Sequence, residues 1–251
     1  MNLKKDFIEL FEPTMKNKGF LRKDKVFHRI VNGKIVQLLS FYKFEGPEFT
    51  IQFSIQPLCS GDEYSMFFDG LRMCEVFRDL SSWEDESQPA NLSKFLPIAL
   101  EATREKLFPL FDSMTDYESY FKKRNELRPL LTFSDNVYMV HMAIGNYKLS
   151  QESRESLIKY QIDANQKRWG TDHHRVPSTQ RKFEQKCEEY YRVKEAMDNN
   201  DLSYISQYIL AKEQKSLNSY IKAFFSPQKV KTFLETGVLP FEFITITDSG
   251  A

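Results

Sequence analysis

The chain has 251 residues, with 35 Lys and Arg set against 35 Asp and Glu and an apolar fraction of 41%. That length and apolar content support one large or two modest domains with a sizeable core, and the zero formal charge removes net attraction as an argument for nucleic acid or an anionic membrane. Twenty-two Phe and twelve Tyr predict aromatic-dominated packing, and three cysteines, Cys59, Cys74 and Cys187, with no C-x-x-C pair, fit a thiol-keeping cytosol.

In chain order, residues 2–18 carry Leu3, Phe7, Leu10 and Phe11 on one helical stripe that stops at Gly19, with Pro13 a candidate kink. Lys4, Lys5, Asp6 and Glu9 interrupt the apolar residues, so this is an amphipathic helix rather than a signal-peptide core. No apolar run approaches the roughly 20 residues of a membrane span. A soluble cytoplasmic protein is expected.

Phe20 to Val31 reads as a strand, Asn32-Gly33 as a hairpin turn and Lys34 to Phe44 as its partner, with apolar groups on both faces as in a central strand. In the next strand Phe49, Ile51, Phe53 and Ile55 alternate with Thr50, Gln52, Ser54 and Gln56, the signature of a sheet with one buried face. Residues 64–80 fit either a fourth strand or a helix, strand being preferred.

From Asn91 the period becomes 3.6. A helix over Leu92–Leu107 is expected to break at Phe108-Pro109 before a short helix from Thr115 to Glu126, and Pro129 marks the expected domain boundary. Beyond it Asn136–Ile144, Ser150–Trp169, Thr179–Met197, Leu202–Phe224 and Pro227–Thr236 read as helices. The corner Ala143 to Tyr147 is of the tetratricopeptide kind, but no 34-residue period repeats. Phe241 to Thr247 could be a final strand or a tail docked on the sheet. The expected fold is α+β: an antiparallel sheet of three to four strands with covering helices over residues 1–128, then an all-helical C-terminal region with a short tail over 129–251.

The order of a helix, Lys18-Gly19-Phe20 with Arg22, Lys23 and Lys25, Phe27-His28-Arg29, a hairpin, Gln37 to Phe41 and the Phe49 to Ile55 strand resembles a bacterial family catalogued as domain of unknown function 4304. The likeness continues through Trp83 to Leu107-Phe108-Pro109-Leu110-Phe111-Asp112 and covers about the first half of the chain. It implies a small α+β domain, with some relatives on the immunity side of bacterial toxin systems, and it supplies no catalytic residues.

Catalytic constellations are sparse. His173-His174 beside Asp172 could touch a divalent metal, but adjacent residues rarely face one ion and no second ligand cluster accompanies them. No G-x-S-x-G elbow or Gly-rich phosphate loop appears, and Cys74 reads as a buried hydrophobe. No metal and no cofactor are expected. Charge has more texture: residues 59–92 hold eight acids against two bases, and residues 159–194 nine bases against five acids.

Asymmetry of this kind usually marks solvated faces. The sharper reading makes Trp83, Glu84, Asp85 and Glu86, with Asp62 and Glu63, an acidic, aromatic-anchored patch for a basic protein partner such as a toxin. The leading expectation is therefore a non-enzymatic protein-binding module, of the immunity type that neutralises a toxin. The alternatives are a small-ligand-binding protein or enzyme with a groove between sheet and helices, using Arg22, His28 or Arg72, and a nucleic-acid binder using Lys167, Arg168, Trp169, His173, His174, Arg175, Arg181 and Lys182. Oligomeric state is open.

Overall fold

The computed structural model describes residues 3–43, 49–61, 71–73, 89–127, 135–169 and 177–246. Helix α1 (Leu3–Asn17) keeps Pro13 in its interior and buries Phe7, Phe11 and Met15, spaced four apart, at 0% exposure. It ends in a Schellman motif: Gly19 takes φ +76°, its N–H donates to the Lys16 carbonyl at 2.9 Å, and the Phe20 N–H donates to Met15 at 3.0 Å.

A five-stranded antiparallel sheet follows in the order β1 (Leu21–Lys23), β2 (Val26–Val31), β3 (Ile35–Lys43), β4 (Phe49–Pro57) and β5 (Leu71–Arg72). The single strand expected over Phe20–Val31 is in fact a hairpin. Asp24 adopts φ +54°, a turn conformation that Asp tolerates, and Lys23 then pairs with Val26. At the next turn Asn32 and Gly33 have φ +48° and +64°, and the Lys34 N–H donates to Val31 at 2.9 Å, as the Asn-Gly dipeptide indicates. The strand preferred within residues 64–80 is present at Leu71 and Arg72, opposite Phe53 and Gln52; residues 62–70 and 74–80 lie outside the described part.

Both faces of the sheet are covered. On one, Phe27, Leu39, Phe41, Ile51 and Phe53 meet Phe7 and Phe11 of α1, together with Phe95, Phe108 and Phe111. The last three lie on α2 (Pro89–Ala102) and α3 (Phe108–Asp112), which a π-helical turn over Thr103–Leu107 joins without interruption. The break expected at Phe108-Pro109 is therefore absent: Pro109 sits in the first turn of α3, where its missing N–H is tolerated. The chain leaves the helix at Ser113.

On the other face Ile30, Val36, Leu38 and Leu58 pack against Tyr220, Ile221, Phe224 and Phe233. The Thr50, Ser54 and Gln56 side of β4, expected to face water, is likewise buried. Alternation in β4 thus reports polarity and not exposure.

The rest is helical: α4 (Tyr117–Leu127), α5 (Asp135–Ala143), α6 (Tyr147–Trp169), α7 (Pro177–Asp198), α8 (Leu202–Phe224) and α9 (Pro227–Thr236). Gly145 at φ +80° turns α5 into α6. A third core joins Ile35 and Cys59 of the sheet region to Tyr138, Tyr190, Val193 and Ile205. No helix among the described residues is long and apolar enough to cross a membrane.

Candidate ligand groove

Pairing within the first hairpin opposes Leu21 to His28 and Lys23 to Val26, which puts Leu21, Lys23 and His28 on the sheet face that α8 and α9 cover. Because β1 stops after three residues, the edge of β2 beyond His28 is open, and the C-terminal tail takes it. Ile244 bridges Val31 in parallel; its N–H donates to the Ile30 carbonyl and its carbonyl accepts from Asn32 N–H, both at 2.9 Å. The Asn32 side chain then accepts from Ile246 N–H at 3.0 Å and donates to the Ile246 carbonyl at 3.2 Å. Of the two forms expected for this stretch, a final strand or a docked tail, the described residues 241–246 take the docked tail.

Between hairpin, tail and helices lies a groove of about 600 Å³. Helix α8 ends at Phe224, Phe225 is extended, and Ser226 caps α9 with Pro227 in its first turn, a helix stop that Ser-Pro makes legible in the sequence. This break turns Phe225, Ser226 and Lys229 towards the hairpin, while Pro240, Phe241, Glu242 and Ile244 form the tail wall. Phe241 stacks on Phe225 at 5.4 Å between centroids and meets Tyr220 at 5.5 Å.

His28 forms the floor at 1% exposure. Its ring stacks on Phe224 at 4.3 Å, and Nδ1 lies 2.6 Å from the Tyr220 hydroxyl. Burial pushes its pKa down to about 3, so the imidazole is neutral. The Tyr220 hydroxyl is buried and has no other partner among the described residues, so its proton is assigned to Nδ1. The ring hydrogen then sits on Nε2, which has no partner among the described residues and opens on the groove. A neutral His whose basic nitrogen is already occupied is a poor general base and a good hydrogen-bond donor.

Three cations and one carboxylate, Glu242, border the groove. Arg22 is opposite Phe27 in the ladder, hence on the α1 side, and its guanidinium donates to Glu12 and to the Asp24 carbonyl, each at 3.1 Å. Hydrogen bonds from Lys16 and Arg22 hold the Glu12 carboxyl below its ordinary range. Lys23 and Lys229 have no carboxylate partner among the described residues; Lys229 lies 5.7 Å from the centroid of the Phe225 ring.

Of the residues weighed for a groove, His28 and Arg22 border it, whereas Arg72 lies on β5 at the far edge of the sheet. Lys229, Phe225, Tyr220 and the tail escape a sequence reading because they reach His28 only through the tertiary fold. Asp62, Glu63, Trp83, Glu84, Asp85 and Glu86 lie outside the described residues, as do Cys74, His173 and His174.

Two other polar clusters are occupied. Buried Arg29 donates from Nε to Gln37, from Nη1 to the Lys18 carbonyl and from Nη2 to Asp112, at 2.6–2.8 Å. Tyr117 and Lys34 both donate to Glu213 beside Cys59, whose thiol burial pushes up and leaves unreactive. No group of three His, Cys, Asp or Glu among the described residues is arranged to hold a metal ion. Comparison with protein-family models, curated proteins and solved structures returns no match, so the functional reading rests on this chain's own residues.

Proposed function

We propose that this chain is a non-enzymatic binding protein that seats a small ligand in the groove between the first hairpin and the C-terminal helices. The observation that carries this reading is the convergence of three distant segments, residues 19–28, 224–229 and 240–244, on one cleft with an unused donor at its floor. Its volume of about 600 Å³ falls within the roughly 300–1,000 Å³ of small-molecule sites. A thermal-shift screen of metabolites and nucleotides tests it, because a ligand that binds only the native state at about 100 times its Kd adds about 2.7 kcal/mol. A hit should be lost in Leu21→Trp, which fills the groove from an exposed position. The absence of any hit, or a shift that survives Leu21→Trp, would count against the groove.

A second reading rests on the sequence. The excess of acids over residues 59–92 and the kinship implied by the first half favour a cytoplasmic, immunity-type module that neutralises a basic bacterial toxin. Affinity capture from the native host, with Glu84, Asp85 and Glu86 reversed to Lys as control, should recover a stoichiometric basic protein only from the unmodified chain. No such capture, or capture indifferent to the reversal, refutes it.

A further inference from the structure

Building on the groove reading, we propose that the ligand is an organic anion, its phosphate or carboxylate held between Lys23, Lys229 and the Nε2–H of His28. Three independent features support this.

The first is unbalanced charge. Lys18, Lys34, Lys194 and Lys212 each hold a carboxylate at 2.7–3.1 Å, whereas Lys23 and Lys229 border the same groove with no such partner among the described residues. Like charges across a cleft repel, and an anion between them removes that cost while gaining two charge-assisted hydrogen bonds.

The second is the first turn of α9. This ten-residue helix has no acidic residue there, and Ser226 and Lys229 place its positive end on the groove. The third is His28, a nearly fully buried side chain whose remaining N–H has no acceptor among the described residues. Nε2 is reachable from the groove, so a ligand oxygen there gains a directional hydrogen bond at the floor of the cleft.

The remaining walls define the rest of the ligand. Leu21, Phe225 and Phe241 are apolar, so an anion carried on an apolar or aromatic body gains from their burial and a bare ion does not. Glu242 is the only carboxylate on the lining, and it stands on the tail wall. Its charge opposes the ligand's. Binding should therefore strengthen when that charge is removed.

Calorimetric titration of the full chain with phenyl phosphate, benzoate, benzyl alcohol and inorganic phosphate decides the matter, phenyl phosphate and benzoate separating the two anion types. Saturable binding is expected for at least one aryl anion. It should weaken about tenfold or more in Lys23→Glu/Lys229→Glu, whose sites are at the groove rim, and tighten severalfold in Glu242→Gln. An affinity unchanged by the double reversal, or inorganic phosphate bound as tightly as phenyl phosphate, overturns the proposal. If benzyl alcohol or neutral metabolites bind in a Leu21→Trp-sensitive way while the anions do not, the groove reading stands and the anion falls. If nothing binds, both fall.

Discussion

The two faces of the sheet differ in how they treat a buried polar group. On the α1 face Phe7, Phe11, Phe27, Phe53 and Phe111 close the core, and its buried cation, Arg29, finds an acceptor for each guanidinium nitrogen and stacks over Phe20 at 4.5 Å. On the α8 face the buried imidazole of His28 is satisfied at Nδ1 and left open at Nε2. A fully satisfied polar group belongs to the architecture. One whose remaining donor faces a cleft is available to a ligand.

The largest effect should come from breaking the satisfied side. Arg29→Met leaves Gln37, at 0% exposure, without its donor and removes the charge opposite Asp112. Urea denaturation should show a loss of about 2–3 kcal/mol, set by the buried Gln37 oxygen left without its donor, because Asp112 is half-buried and keeps Lys18. A loss below about 1 kcal/mol would erase the contrast between the faces.

Acid should find the other side next. With its pKa near 3 in the folded chain against 6.5 as the ordinary value, His28 binds a proton more readily when unfolded. Its contribution to stability is therefore complete above pH 6.5 and declines as pH falls through the window from 6.5 towards 3, at about 1.4 kcal/mol per pH unit within it. Stability curves of the wild type and His28→Gln should converge on acidification over that window. Parallel curves would mean that His28 is not buried neutral.

Sequence and structure agree where local rules suffice. The ends of α8 and α9 follow from Asp201, Ser226-Pro227 and Gly237, and the strand β4 follows from its alternation. They diverge where tertiary contacts decide. Asp24 turns the chain although nothing but its tolerance of positive φ marks it, Thr50, Ser54 and Gln56 are buried although polar on the sheet face that α8 and α9 cover, and Gln37 is buried on the other face, where its amide donates to the Phe111 and Met114 carbonyls. His28 was legible as one of three groove candidates. The groove's other residues were not, because Tyr220, Lys229 and Phe241 lie about two hundred residues downstream and carry no motif.

The tail is where the two faces meet, and two substitutions separate its attachments. Gly19 caps α1 on the first side at φ +76°, yet a Cβ there would lie 2.5 Å from Ile244 Cδ1 of the tail. Gly19→Ala strains the cap and pushes the Ile244 side-chain tip aside, so a loss of about 1 kcal/mol or more is expected in denaturation. Retention of full stability would mean that the tail does not press on the cap.

Asn32→Gly should have the smallest effect and report most locally. Glycine accepts the φ of +48°, so the hairpin survives, while the two side-chain hydrogen bonds to Ile246 are lost. Net hydrogen bonds are worth about 0.5–1.5 kcal/mol each. The midpoint of global unfolding should therefore move little, while hydrogen exchange at the Ile244 and Ile246 amides accelerates by about tenfold or more, because that segment opens without unfolding the sheet. Saturating an aryl anion in the groove should restore slow exchange, since the same segment supplies the wall against which the ligand rests. Exchange that stays slow in Asn32→Gly would instead assign the tail's hold to the Ile30 and Asn32 backbone bonds alone and make it a fixed sixth element of the sheet.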